Sequence, residues 1–217
     1  MILAVLQLLS ILDPKELLKG GGYVLLFFIV FAESGLLVGF FLPGDSLLFT
    51  AGVLATGGAL SQKLGVDFNI IVVMLGCFAM AVVGDQVGYL IGSKAGPRLF
   101  NRPDSRLFKQ EHVDKAEEFF ERYGSKAIIL ARFVPVIRTF VPTVAGVSRM
   151  DYGRFLRFNL IGGAIWGAGI PALGYFFGQI DFVEKNLELT LIAVVGISVL
   201  PIAFEIWKAR KERRAAA

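Results

Sequence analysis

The sequence predicts an all-α, polytopic membrane protein, and three observations carry that prediction. Of its 217 residues 55% are hydrophobic, with a mean hydropathy of +0.67. Several apolar runs approach or exceed the ~20 residues that cross a bilayer. Two further apolar stretches are interrupted by prolines and charges, so they must be buried in protein or face a watery cavity. The formal net charge is +4, and its placement says more than its sum. Five of the ten residues from Lys208 onward are basic, which suits the cytoplasmic face of a membrane. No second basic face or aromatic platform accompanies them, so a nucleic-acid partner is not expected. Cys77 and His112 are the only residues of their kinds. Neither a disulfide, a metal site, a cofactor nor histidine-based catalysis is therefore expected. The N-terminus has no basic n-region, so residues 1–12 are expected to remain in the mature protein.

Taken in order, residues 1–12 are apolar, short for a span, and stopped by Asp13-Pro14, which predicts a helix lying in the interface. Lys15 to Gly22 reads as a polar connector that completes an N-terminal segment, 1–22. Residues 23–56 form about 34 nearly continuous apolar positions. A single helix of that length would measure ~50 Å against a hydrocarbon core of ~30 Å. Glu33 and the turn-forming Pro43-Gly44-Asp45-Ser46 interrupt it. Two spans of about 17 residues or one re-entrant hairpin both fit, and the hairpin accounts better for two carboxylates at depth. Residues 57–69 read as a loop. Residues 70–91 are the cleanest span, with Asp85 beside Gly84 inside it. Residues 93–125 form a solvated, basic linker containing an amphipathic helix, Glu111 to Tyr123, whose Phe119, Phe120 and Tyr123 meet membrane or core.

Residues 126–147 are apolar yet carry Arg132 and Arg138 and are broken by Pro135 and Pro142. An intramembrane arginine costs at least ~2.5–3.5 kcal/mol even on the mildest insertion scale. Residues 158–177 are a second, glycine-rich span suited to close helix contact. Residues 179–188 are a short, net-acidic loop, 189–207 the last span, and 208–217 the basic tail. With that tail cytoplasmic, the acidic loop lies outside, and the collar of Arg149, Arg154 and Arg157 lies inside with the basic linker. Both ends of 126–147 then share one side, so that stretch is re-entrant too.

The two broken stretches resemble each other. Phe41-Leu42-Pro43 followed by Ala51-Gly52 answers Phe133-Val134-Pro135 followed by Ala145-Gly146, and Gly88-Tyr89 to Gly92 answers Gly174-Tyr175 to Gly178. A re-entrant element keeps its side and a span changes it, so the second unit would be inverted relative to the first, a design of secondary transporters. Glu33 and Asp45 then approach from one side, Arg132 and Arg138 from the other. Two guanidiniums suit bidentate binding of an anion, phosphate above all. A carboxylate beside them can exchange a proton as the anion comes and goes. Asp85 is a candidate relay, Asn159 reads as a helix–helix hydrogen bond, and Trp166 and Trp207 as ordinary membrane aromatics. The alternative to a binding site is a salt-bridge network that only joins two hairpins.

The pattern Glu33-Ser-Gly…Phe41-Leu-Pro-Gly-Asp45-Ser, with Arg132-Phe-x-Pro135-x-x-Arg138-Thr-x-x-Pro142-x-x-Ala-Gly146, closely resembles the DedA family of bacterial inner-membrane proteins, whose domain is called VTT in eukaryotic relatives. The resemblance runs from about Tyr23 to Trp207. It implies a lipid flippase or translocase that depends on the proton-motive force. The substrate implied is a phosphate-headed lipid, foremost undecaprenyl phosphate. Arg132 and Arg138 would bind the phosphate, Glu33 and Asp45 would serve as charge and proton partners, and Pro43, Gly44, Pro135 and Pro142 would act as breaks. Rival readings are a proton-coupled small-ion or drug antiporter, a phospholipid scramblase, or a non-transporting assembly factor. A lipid phosphatase fares poorly, with only His112 available. Self-association into a homo-oligomer is compatible with all of these.

Overall fold

A computed structural model describes residues 14–37, 42–95, 110–186 and 189–190, and every structural statement below concerns these residues. The interfacial helix expected over 1–12, the basic part of the linker, most of the last span and the tail lie outside them. Among the described residues the fold is all-helical, and three helices are long and apolar enough to cross a membrane: Pro14–Gly35, Ile70–Lys94 and Tyr152–Gly178.

Helix α1, Pro14–Gly35, opens with proline at its first position, where the missing N–H costs nothing. It corrects one expectation, because Lys15 to Gly22 is helix rather than connector. Leu18 is fully buried in the core and anchors that first stretch, so the three glycines produce only a kink at Gly22 (φ 52°). Helix α2, Gly44–Leu54, follows the turn at Pro43. The expected loop then holds a short helix, α3, Ala59–Leu64, closed by Gly65 in the left-handed conformation. Asn69 caps helix α4, Ile70–Ala95, by accepting from the N–H groups of Ile71 and Val72.

The register of α1 on α4 is fixed by three contacts. Tyr23 Oη accepts from Asn69 N at 2.6 Å, a Cβ on Gly76 would strike the Phe27 ring, and Gly35 lies against the Gly84 backbone. The two helices therefore run parallel, and α1 ends about halfway along its partner. Helix α2 then doubles back.

Helix α5, Gln110–Tyr123, rests its Phe119, Phe120 and Tyr123 against a core that includes Phe140 and Val144. It leads through 3-10 turns and helix α6, Ala127–Leu130, to helix α7, Pro135–Val147. The break falls at Val134, which is extended (φ −116°, ψ 104°), as expected of a residue preceding proline. Pro142 does not break α7, contrary to expectation. Its ring only removes one ladder bond and leaves the Arg138 carbonyl without its usual i+4 donor.

The last long rod begins as helix α8, Tyr152–Gly163, with Asp151 accepting from Arg154 N as its cap. It widens into a π turn over Ala164–Ala168 and continues as helix α9, Gly169–Gly178. The widening has a local cause: Pro171 cannot donate to the carbonyl of Gly167. A short helix α10, Asp181–Lys185, occupies what was expected to be a loop. The rod runs antiparallel to α4, pairing Tyr152 and Phe155 with Tyr89, Asn159 with Val82 and Gly167 with Cys77.

The most extensive packing is reciprocal. The short helix α2 lies on α9, where Gly52 meets Pro171 and Tyr175, and Gly178 meets Val53. The short helix α7 lies on α4, where Gly146 meets Tyr89 and Ser93, and Gly92 meets Thr143. Two large apolar cores result, one with Leu26, Leu47 and Cys77, the other with Ile128, Phe140 and Phe155, beside a small cluster of Phe49 and Val53. Along α4, Ala81 belongs to the first core and Tyr89 to the second. Asp85 falls one turn from each. Apolar side chains such as Val24 and Phe176 (81% and 68% exposed) face outward from the rods, as a lipid-facing surface requires.

Candidate functional site

The charges gather where the two cores leave a gap. Glu33, on the last turn of α1, is fully buried, and its carboxylate lies against Gly44, where any Cβ would overlap it. Glycine at 44 is thus required by the close approach, not only by the turn. Asp45 sits in the first turn of α2, where the helix dipole favours an acid. Arg138 sits in the first turn of α7. It forms ion pairs with Glu33 and, at 2.9 Å, with Asp45 Oδ1. Three of the four expected residues therefore meet.

Arg132 does not join them directly. On the 3-10 turn Ala131–Phe133 it pairs with Asp85 of α4 and donates to Asn159 Oδ1 at 2.8 Å. Asn159 Nδ2 in turn donates to Val82 O at 3.1 Å, which ties α8 to α4. Asn159 is thus the helix–helix bond expected, with a second task. Asp85, expected as a relay, is the counter-charge of Arg132. Gly162 keeps α8 close enough for this, since a Cβ there would meet the guanidinium stem.

Trp166 links the two groups, which corrects its reading as an ordinary membrane aromatic. It is buried on the π turn, and its ring lies 5.2 Å from the Arg138 guanidinium and 5.9 Å from that of Arg132. Its Nε1 donates to Asp45 Oδ1 at 2.6 Å. A sequence signal existed, because Trp166 lies among Gly162, Gly163, Gly167 and Gly169. A helix face that small brings its neighbours close, and a large ring on it must be enclosed. Ser34, Asp85, Arg132, Arg138 and Trp166 line a cavity of about 10 Å³. The Nε atoms of both arginines are buried without a hydrogen-bond partner among the described residues. Within the same limits, no three His, Cys, Asp or Glu side chains gather into a metal-binding group.

Chemically, the site holds two guanidiniums with spare donors, three carboxylates and an indole N–H. Residues 42–176 match the VTT domain, a stretch that contains each of these groups except Glu33. The chain is also 44% identical to the protein DedA of Escherichia coli K12 over 90% of its own length and 85% of the relative's. It belongs to the DedA family. Other DedA-family relatives include an uncharacterised membrane protein of Mycobacterium tuberculosis, 45% identical over 96% of this chain and 92% of the relative. The inner membrane protein YqjA of E. coli is 31% identical over 84% and 79%. These DedA-family relatives are named as membrane proteins or by the family itself, not as enzymes. No solved structure matches the chain.

Proposed function

We propose that this DedA-family protein translocates a phosphate-headed lipid, foremost undecaprenyl phosphate, between the leaflets of a bacterial inner membrane, with proton exchange at its carboxylates. One observation carries the reading: Arg138, with its side chain 9% exposed, is shared by two carboxylates from the facing hairpin and borders one cavity with Arg132. A packed seam would satisfy every donor, whereas here both guanidiniums keep one spare. Lipid phosphate is the dianion or monoanion that a guanidinium fork matches.

The two broken stretches are read as re-entrant hairpins of an inverted repeat, tips meeting at mid-depth. The course of α1 supports this, since it ends opposite Gly84 and α2 returns to the end where α4 began. The reciprocal seating of α2 on α9 and α7 on α4 supports it as well. The headgroup would sit at the tips while the acyl chain stays in lipid. Rocking of the hairpins would expose the site alternately, with the C-terminus cytoplasmic.

The test is headgroup-resolved translocation in vesicles with an imposed pH gradient. Arg138→Ala should slow phosphate-headed lipid about tenfold or more. Arg138→Lys, which keeps the charge and the pairing but loses the fork, should fall between the two. An Arg138→Ala protein that moves the lipid at the wild-type rate ends this reading.

A further inference from the structure

We propose that Asp45 is a resident stand-in for the anionic group bound here, and that the indole N–H of Trp166 is a ligand-binding donor that passes, with Arg138, from Asp45 to that anion. The inference deepens the anion-binding reading above and rests on it.

One oxygen marks the position. Asp45 Oδ1 accepts both from Arg138 Nη1 at 2.9 Å and from Trp166 Nε1 at 2.6 Å. A carboxylate oxygen taking a guanidinium and an indole donor at once occupies the place a phosphate oxygen would take. Exposure then decides which carboxylate can leave. The Asp45 side chain is 31% exposed, whereas those of Glu33 and Asp85 are 1% and 4% exposed and have nowhere to go. When Asp45 swings out, Arg138 keeps Glu33 as its orienting partner. The unpartnered Nε of Arg138 remains on the same guanidinium for a second phosphate oxygen, and Arg132 borders the adjoining cavity. The existing cavity of about 10 Å³ suits roughly one water, so the space for the anion comes from the vacated Asp45 position.

Trp166 is fixed for this role by its surroundings. Gly163 and Gly167 press the π turn against Val82, Cys77 and Phe78 of α4, and the ring lies over both guanidiniums. Its N–H therefore stays aimed at the exchange position whichever acceptor fills it. A tryptophan that only filled space would not need its nitrogen there.

The experiment uses the full chain in detergent micelles with Trp207→Phe, which leaves Trp166 as the sole tryptophan. Dodecyl phosphate, inorganic phosphate and dodecyl trimethylammonium are titrated while Trp166 emission is followed, with calorimetry for variants at position 166. Dodecyl phosphate should shift the emission and the cation should not. Asp45→Asn should bind dodecyl phosphate at least about threefold more tightly, because a competing negative charge is gone. Trp166→Phe keeps a ring but loses the donor, and should bind about tenfold more weakly. Wild-type affinity in Trp166→Phe, or weakened binding in Asp45→Asn, overturns the proposal while leaving the anion site standing. Should Trp166→Phe fail to fold, the tightening in Asp45→Asn carries the test alone. Inorganic phosphate bound as tightly as dodecyl phosphate supports the proposal with a soluble anion as its source; preference for the alkyl phosphate supports it with a lipid headgroup. If wild type binds neither, this inference and the anion-binding reading both fall.

Discussion

Arg132 and Asp85 illustrate what a buried charge demands of its neighbours. Both side chains are nearly inaccessible, and removing one partner would strand the other in a medium that cannot solvate it. Asp85→Asn should therefore cost about 3–5 kcal/mol, read as a lowered thermal midpoint in detergent. The double variant Asp85→Asn/Arg132→Gln replaces the ion pair with two neutral amides of similar shape, and should recover most of that loss. If the double variant were no more stable than the single one, the pair would not be the dominant interaction at these positions. The same pair shows where residue-level reading of sequence stops. Charges at depth must be paired, and that much was legible. Which acid serves which base was not, because Asp85 and Arg132 are 47 residues apart and only the seating of α7 and α8 on α4 brings them together. Trp166 escaped for a related reason: the glycines around it signal that its ring is enclosed, but not that guanidiniums enclose it.

At the scale of elements, glycines set how closely the short helices approach the long ones. A methyl on Gly52 would overlap the Pro171 carbonyl, and one on Gly146 would overlap that of Tyr89. Both obstacles are backbone, so the helices themselves would have to separate. Gly52→Ala and Gly146→Ala should each destabilise the fold by about 1–3 kcal/mol. Gly20→Ala, on an exposed stretch of α1 with nothing near its added methyl, should be neutral or stabilising by up to about 1 kcal/mol. Thermal melting of the three variants checks the contrast, and equal midpoints would remove the case for close packing as the glycines' purpose. Element boundaries were partly legible. Pro135 announced the break at Val134, because the constraint on a residue before proline is local. Pro142 misled, since a helix tolerates the loss of one ladder bond when its flanks are packed as tightly as Phe140, Val141 and Val144 are. The glycines at 20–22 misled in the opposite direction, suggesting a connector where burial of Leu18 holds a kinked helix.

For the whole molecule, the question is on which side each of the two proposed hairpins opens. The end of the molecule holding Lys94, Lys126, Arg149, Arg154 and Arg157 carries more lysine and arginine than the end holding Lys15, Lys19 and Lys63, although both ends also carry acids. By the positive-inside rule the end richer in lysine and arginine is expected in the cytoplasm. Since α2 returns to the first end and α7 to the second, the hairpins should open to opposite sides. Cysteine labelling tests this with little background, because the single native thiol, Cys77, is fully buried. Lys63→Cys and Arg154→Cys both replace exposed side chains outside the charged site. In intact cells a membrane-impermeant maleimide should modify Lys63→Cys directly, and Arg154→Cys only after the membrane is permeabilised. Labelling of both from outside would place the hairpins on one face. An acidic tip and a basic tip could then no longer arrive from opposite leaflets, and alternating access to Arg138 would lose its structural basis.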